Sequence, residues 1–115
     1  MTLSIETRTT ADGGTVLSLA GEVDYATAPK IRETITGVLR GENVTSIQVD
    51  VAKVTVLDST GIGTLVVAYR IARDMGIPVS VTNPNKFITR LFTVVGAQEL
   101  LEEQTGAFAS AAKER

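Results

Sequence analysis

The chain has 115 residues, with 11 Lys and Arg against 13 Asp and Glu, and a formal net charge of -2. It contains no cysteine and no histidine. These two absences exclude disulfides, thiolate nucleophiles, zinc-cysteine sites, the Ser-His-Asp triad, imidazole bases and histidine metal ligands.

No basic run offers a face for phosphates, and two Tyr, three Phe and no Trp make a poor stacking platform, so nucleic acid is not expected as a partner. Hydrophobic residues at 43% and charged residues at 21% match an ordinary soluble domain. The first residues carry no apolar signal core and no stretch is long enough to span a bilayer, which predicts a cytoplasmic protein with no membrane partner.

Leu3 and Ile5 alternate with Ser4 and Glu6 as in a half-buried strand. Ala11-Asp12-Gly13-Gly14 reads as a hairpin turn, and Val16, Leu17 and Leu19 as the returning strand, ended by Gly21. A loop from Gly21 to Pro29 then feeds a helix, with Thr27 as its N-cap and Pro29 in its first turn. Ile31, Ile35, Val38 and Leu39 give that helix one apolar face, and Arg40-Gly41 closes it.

Ser46 to Val51 alternates as a strand, followed by a second short apolar piece, Val54 to Leu57. The next helix extends to about Asp74, with Ile62, Leu65, Val66, Tyr69 and Ala72 on its apolar side and Met75-Gly76 as its stop. Ile77 to Val81 is a strand whose Pro78 suits an edge or a strand start. Asn83-Pro84-Asn85 turns the chain into a helical pattern of Phe87, Ile88, Leu91, Phe92 and Val95, stopped by Gly96. Leu100-Leu101 reads as a short last strand.

The order β-β-α-β-α-β-α predicts an α/β fold with a mixed sheet: an antiparallel opening hairpin, then parallel strands joined by right-handed crossovers. Strands that lead into helices place the helix starts along one sheet edge, the usual binding edge of open α/β sheets. Ser59 and the loop holding Asp24 should both lie there.

The stretch Val56-Leu57-Asp58-Ser59-Thr60-Gly61-Ile62-Gly63 is the chemically distinctive one. Asp58 and Ser59 are both good N-caps, and Gly61 and Gly63 let another surface approach the backbone. A hydroxyl at a helix start also suits a phosphate, because free amides and the positive end of the helix dipole favour negative charge. The stretch therefore reads either as a plain helix cap or as a switchable serine. Hydrolase chemistry fails on it: Leu57 stands where a nucleophile elbow has glycine, and only Lys30 or Lys53 remain as bases. Aspartic-protease spacing and a phosphate-loop lysine are also missing. A metal held by Asp24, Asp58 and a hydroxyl has no dedicated loop spacing behind it. A binding module fits better than an enzyme.

Three segments together resemble the STAS domain family. Leu17-Ser18-Leu19-Ala20-Gly21-Glu22-Val23-Asp24-Tyr25-Ala26-Thr27-Ala28 is similar to the family's opening "Leu-x-Gly-Glu-Leu-Asp-x-x-Thr-Ala". Asp58-Ser59-Thr60-Gly61-Ile62-Gly63 resembles its "Asp-Ser-(Ser/Thr)-Gly-Leu-Gly" phosphorylation loop, and Phe87 to Gly96 its third helix. Within the family the best match is the bacterial anti-sigma factor antagonists. The resemblance implies a single STAS-like domain over residues 1–103, with 104–115 as a tail, helical or frayed.

It further implies a non-enzymatic partner switch with no cofactor. The unphosphorylated form would bind an anti-sigma factor that is also a serine kinase, releasing a sigma factor. Phosphorylation at Ser59, with Thr60 as the alternative hydroxyl, would end binding, and a serine phosphatase would reset it. The partner-facing set would be Asp24, Tyr25 and Thr27 with Asp58, Thr60, Gly61, Ile62 and Gly63. Two other readings stay open: a STAS subunit of a larger assembly, stressosome or transporter-associated, without phosphorylation, and a small-ligand or nucleotide sensor.

Overall fold

The computed structural model describes residues 2–41 and 43–101. β1 (Leu3–Thr9) and β2 (Gly14–Val23) pair antiparallel in regular register, with Ile5 opposite Leu19 and Thr9 opposite Thr15. Their turn is held by Asp12, whose carboxylate accepts from the Thr10 hydroxyl and from the Gly14 amide. The Thr10 hydroxyl, and then the Gly14 amide, hold the Asp12 carboxyl below its ordinary range.

β2 also pairs parallel with β3 (Ser46–Leu57), and β3 parallel with β4 (Val79–Thr82), in the sheet order β1-β2-β3-β4. The mixed sheet and its strand directions are those read from the sequence. α1 (Ala28–Leu39), α2 (Ser59–Asp74) and α3 (Lys86–Val94) supply most of the remaining core, with Ala97 and Leu100 beyond α3 adding to it. Leu17, Leu19, Ile47, Val49 and Val81 of the sheet meet Ile31, Ile35, Ile62, Leu65 and Phe92 of the helices. α3 starts on Asn85, whose side-chain oxygen accepts from the Ile88 amide at 2.8 Å.

Four expectations are corrected. Gly21 does not end β2. It sits at φ +118, a conformation open to glycine, and the register against β3 slips on both sides of it, between Ser18 and Ala20 and between Gly21 and Glu22. The strand bends and continues to Val23, opposite Leu57. The two pieces read as Ser46 to Val51 and Val54 to Leu57 are one strand, because both pair with the same continuous partner. On α3, Ile88 and Phe92 are buried, but Phe87 is 55% and Val95 47% exposed. Ile88 and Phe92 are one turn apart and form the stripe that meets the core, and the outer apolar positions fall off it. Finally, Gln98–Leu100 is a 3-10 turn, and Leu101 makes only a single parallel bridge to Val81. The tail expected beyond it lies outside the described residues.

The bend at Gly21 aims Val23 and Asp24 at the start of α2. A Cβ at position 21 would run into the Thr2 carbonyl oxygen, at a backbone angle that strains any other residue. Gly21→Ala should therefore cost about 1–3 kcal/mol of stability, read as a lower urea midpoint with an unchanged slope. An unchanged midpoint would show that the bulge is not strained against Thr2.

Candidate functional site

β3 carries Leu57 to the sheet edge, and α2 begins two residues later. Asp58 joins them in an extended conformation and is the cap: its Oδ1 accepts from the Gly61 amide at 2.8 Å. Its other oxygen, Oδ2, accepts from the Tyr25 amide at 3.2 Å. Its own amide donates to the Val23 carbonyl at 3.1 Å, and its carbonyl accepts from the Ile62 amide at 3.0 Å. One short acid thus ties β3, the start of α2 and the β2-α1 loop together. The expectation that Asp24 and Ser59 share one edge is met by this junction.

The β2-α1 loop is built on a second acid. Asp24 Oδ1 accepts from the Thr27 amide at 3.1 Å, and the Asp24 carbonyl accepts from the Ala28 amide at 2.8 Å. Thr27 occupies the N-cap position of α1, but its hydroxyl does not cap the helix. It points back into the loop, donating to the Glu22 carbonyl at 2.8 Å and accepting from the Asp24 amide at 3.0 Å. Thr27 is buried accordingly, so it shapes the loop rather than facing a partner.

The residues of the expected partner-facing set divide. Tyr25 is 79% exposed, and Ser59, Thr60 and Gly63 are exposed, while Asp24 and Asp58 are half-buried. Gly61 and Ile62 turn inward. Ile62 belongs to the core, and a Cβ at Gly61 would lie 2.6 Å from Val23 Cγ1 and 2.8 Å from the Val23 carbonyl oxygen. The close approach at Gly61 is thus made by the chain's own β2. At Gly63 nothing lies within 4 Å of a built Cβ, so that position opens outward.

Ser59 is the first residue of α2, and because Asp58 is the cap, the Ser59 hydroxyl is not committed to the helix end. The amides of Ser59 and Thr60 lie in the first turn, where no carbonyl of the helix precedes them, so neither has an acceptor within α2. Lys30, considered as a base, is tied elsewhere: its Nζ donates to the Leu3 carbonyl at 2.8 Å.

A feature missed in the sequence adjoins this site. Between α1 and α2 runs a groove of about 730 Å³, walled by Ile35, Leu39, Val67, Ala68, Ile71 and Met75, with Thr60 and Gly63 at one end. Val67, Ile71 and Met75 recur at every fourth residue and are each about half exposed. That spacing was the available signal.

Residues 7–102 match the family model described as "Mlab, STAS domain", and the chain belongs to the STAS domain family. Among its curated relatives is the anti-sigma-B factor antagonist of Staphylococcus aureus. It is 30% identical over 106 residues, which cover 92% of this chain and 96% of the relative. Among solved structures, the anti-sigma factor antagonist SpoIIAA in its unphosphorylated form superposes with a TM-score of 0.75 at 19% identity, covering 96% of this chain and 90% of that one. The phosphorylated form of the Bacillus cell fate determinant SpoIIAA gives 0.69 at 19% identity, covering 96% and 93%. These two likenesses are likenesses of fold.

The geometry makes Asp58 the residue on which the site's shape rests. Asp58→Ala removes the cap and the Tyr25 anchor together and should cost about 1–3 kcal/mol. Asp58→Asn keeps one acceptor oxygen and should recover about half of that loss. Amide exchange at Tyr25 and Gly61 is the direct readout. Equal protection of both amides in wild type and Asp58→Ala would contradict the junction described.

Proposed function

We propose that this chain is a cytoplasmic anti-sigma factor antagonist, a binding partner and kinase substrate rather than a catalyst. Its unphosphorylated form binds an anti-sigma factor that carries serine kinase activity and so frees a sigma factor. Phosphorylation of Ser59 ends that binding, and a serine phosphatase restores it. The observation that carries the reading is the position of Ser59: exposed, first in α2, and spared from capping by Asp58. The names of the relatives support the antagonist role, and the solved SpoIIAA forms show that a domain of this fold exists in both phosphorylated and unphosphorylated states.

The physics gives the switch its sign. A phosphate on Ser59 adds about -1.5 to -2 charge. The free amides and dipole of α2 accommodate it, so the fold survives. Asp24 and Asp58 flank it with like charge, and neither offers it a hydrogen-bond donor while ionised. The added charge therefore stays at the surface formed by Tyr25, Ser59, Thr60 and Gly63, where it opposes a closely packed partner. Thr27, Gly61 and Ile62 contribute by shaping that surface from within.

The test is incubation of the domain with ATP and the kinase-bearing anti-sigma factor of its own cell, followed by peptide mapping. One phosphate is expected on Ser59, lost in Ser59→Ala and retained in Thr60→Val. Undiminished labelling of Ser59→Ala would move the switch to another hydroxyl. No labelling of any form, with the partner still bound, would favour a STAS subunit of a larger assembly.

A further inference from the structure

The two edges of the sheet are unlike. β4 has four residues and is flanked by Leu101, which bridges to Val81. β1 has seven residues in unbroken register with β2, without proline or bulge. Thr2 and Thr10 bond to β2 through Glu22 and Gly14, so Ser4, Glu6 and Arg8, in step with them, also point their backbone groups at β2. Leu3, Ile5, Thr7 and Thr9 point theirs outward. The Leu3 carbonyl is covered by Lys30. From Ile5 to Thr9 the outward amides and carbonyls have no protein partner among the described residues. Native sheets usually blunt such an edge.

The side chains of this edge complement themselves. Leu3 and Ile5 face the helix-covered core, which puts Glu6 and Arg8 on the open face of the sheet, both exposed. In an antiparallel pairing of two copies about a two-fold at Thr7, Ile5 stands opposite Thr9 and Glu6 opposite Arg8, twice over. The outward backbone groups of Thr7 then bond to those of its copy. Glu6 and Arg8 fall at the positions between the bonded pairs, where opposed side chains come closest. Shifting the centre to Glu6 or Arg8 sets like charges face to face, so charge selects the Thr7 register.

We propose that β1 is a self-association edge, through which two copies of this chain join their sheets into one of eight strands with Glu6 paired to Arg8 across the two-fold. Both helical layers then lie on the same side of the joined sheet. Its strands run oppositely in the two halves, so the two Ser59 sites face opposite ends and each stays open to its own partner. The contact is a short one, and a Kd between about 10 µM and 1 mM is expected for so small an interface.

Sedimentation velocity over a concentration series tests this. Wild type should show a reversible dimer. Glu6→Arg and Arg8→Glu should each weaken it by at least about tenfold, because each sets like charges opposite one another at both symmetric positions. The double swap, carrying both, should return to within about threefold of wild type. Thr7→Pro removes an outward amide that the monomer does not use, so it should abolish the dimer while leaving the circular dichroism spectrum unchanged. A wild type that remains monomeric at about 1 mM overturns the proposal. So does a dimer that ignores the single charge reversals, or one that the double swap fails to restore.

Discussion

The site depends on a contact that leaves no room: α2 begins directly against β2. Gly61 lies so close to Val23 that no side chain fits between them. That approach brings the Asp58 amide to the Val23 carbonyl and the Asp58 carboxylate to both the Tyr25 and Gly61 amides. The bulge at Gly21 is the other half of the same constraint, since it carries β2 past its regular pairing to reach Leu57. The two glycines stand in different elements and serve one junction.

The junction is what lets the proposed modification of Ser59 leave the fold unchanged. Asp58 holds the helix cap, so the neighbouring hydroxyl performs no structural task that a phosphate would interrupt. The core that fixes α2, through Ile62, Leu65, Ala68 and Ala72, lies on the opposite side of the helix from the exposed Ser59 and Thr60. Charge placed on Ser59 is felt at the surface before it is felt in the core. The half-exposed row of Val67, Ile71 and Met75 continues outward from Thr60 and Gly63, so the α1-α2 groove and the exposed start of α2 share one side of the molecule.

Much of this was legible in the sequence because local chemistry and global fold agree. Alternation marked β1 and β2, apolar spacing marked the three helices, and the Asp58 cap and the Asn83-Pro84-Asn85 turn marked two helix starts. What was not legible depends on contacts between distant parts of the chain. A glycine after an alternating run looks the same whether it ends a strand or bends it, so Gly21 was misread. A glycine in a first helical turn looks the same whether a partner or the chain's own β2 comes close, so Gly61 was assigned outward. Thr27 reads as a cap from its type and place, yet its hydroxyl is held by Glu22 and Asp24, and the Asp24 main-chain carbonyl takes the Ala28 amide. The link from Asp58 to Tyr25 spans 33 positions and has no local signature.

The most direct measurement is partner affinity as a function of charge at residue 59. The wild-type domain, Ser59→Ala and Ser59→Asp are each titrated against the anti-sigma factor that wild type captures from its own cell lysate in the presence of nucleotide. The account predicts that wild type and Ser59→Ala bind alike and that Ser59→Asp binds about a hundredfold more weakly, a loss near 3 kcal/mol. Equal affinity of all three forms would contradict it and reduce Ser59 to the first residue of an ordinary helix.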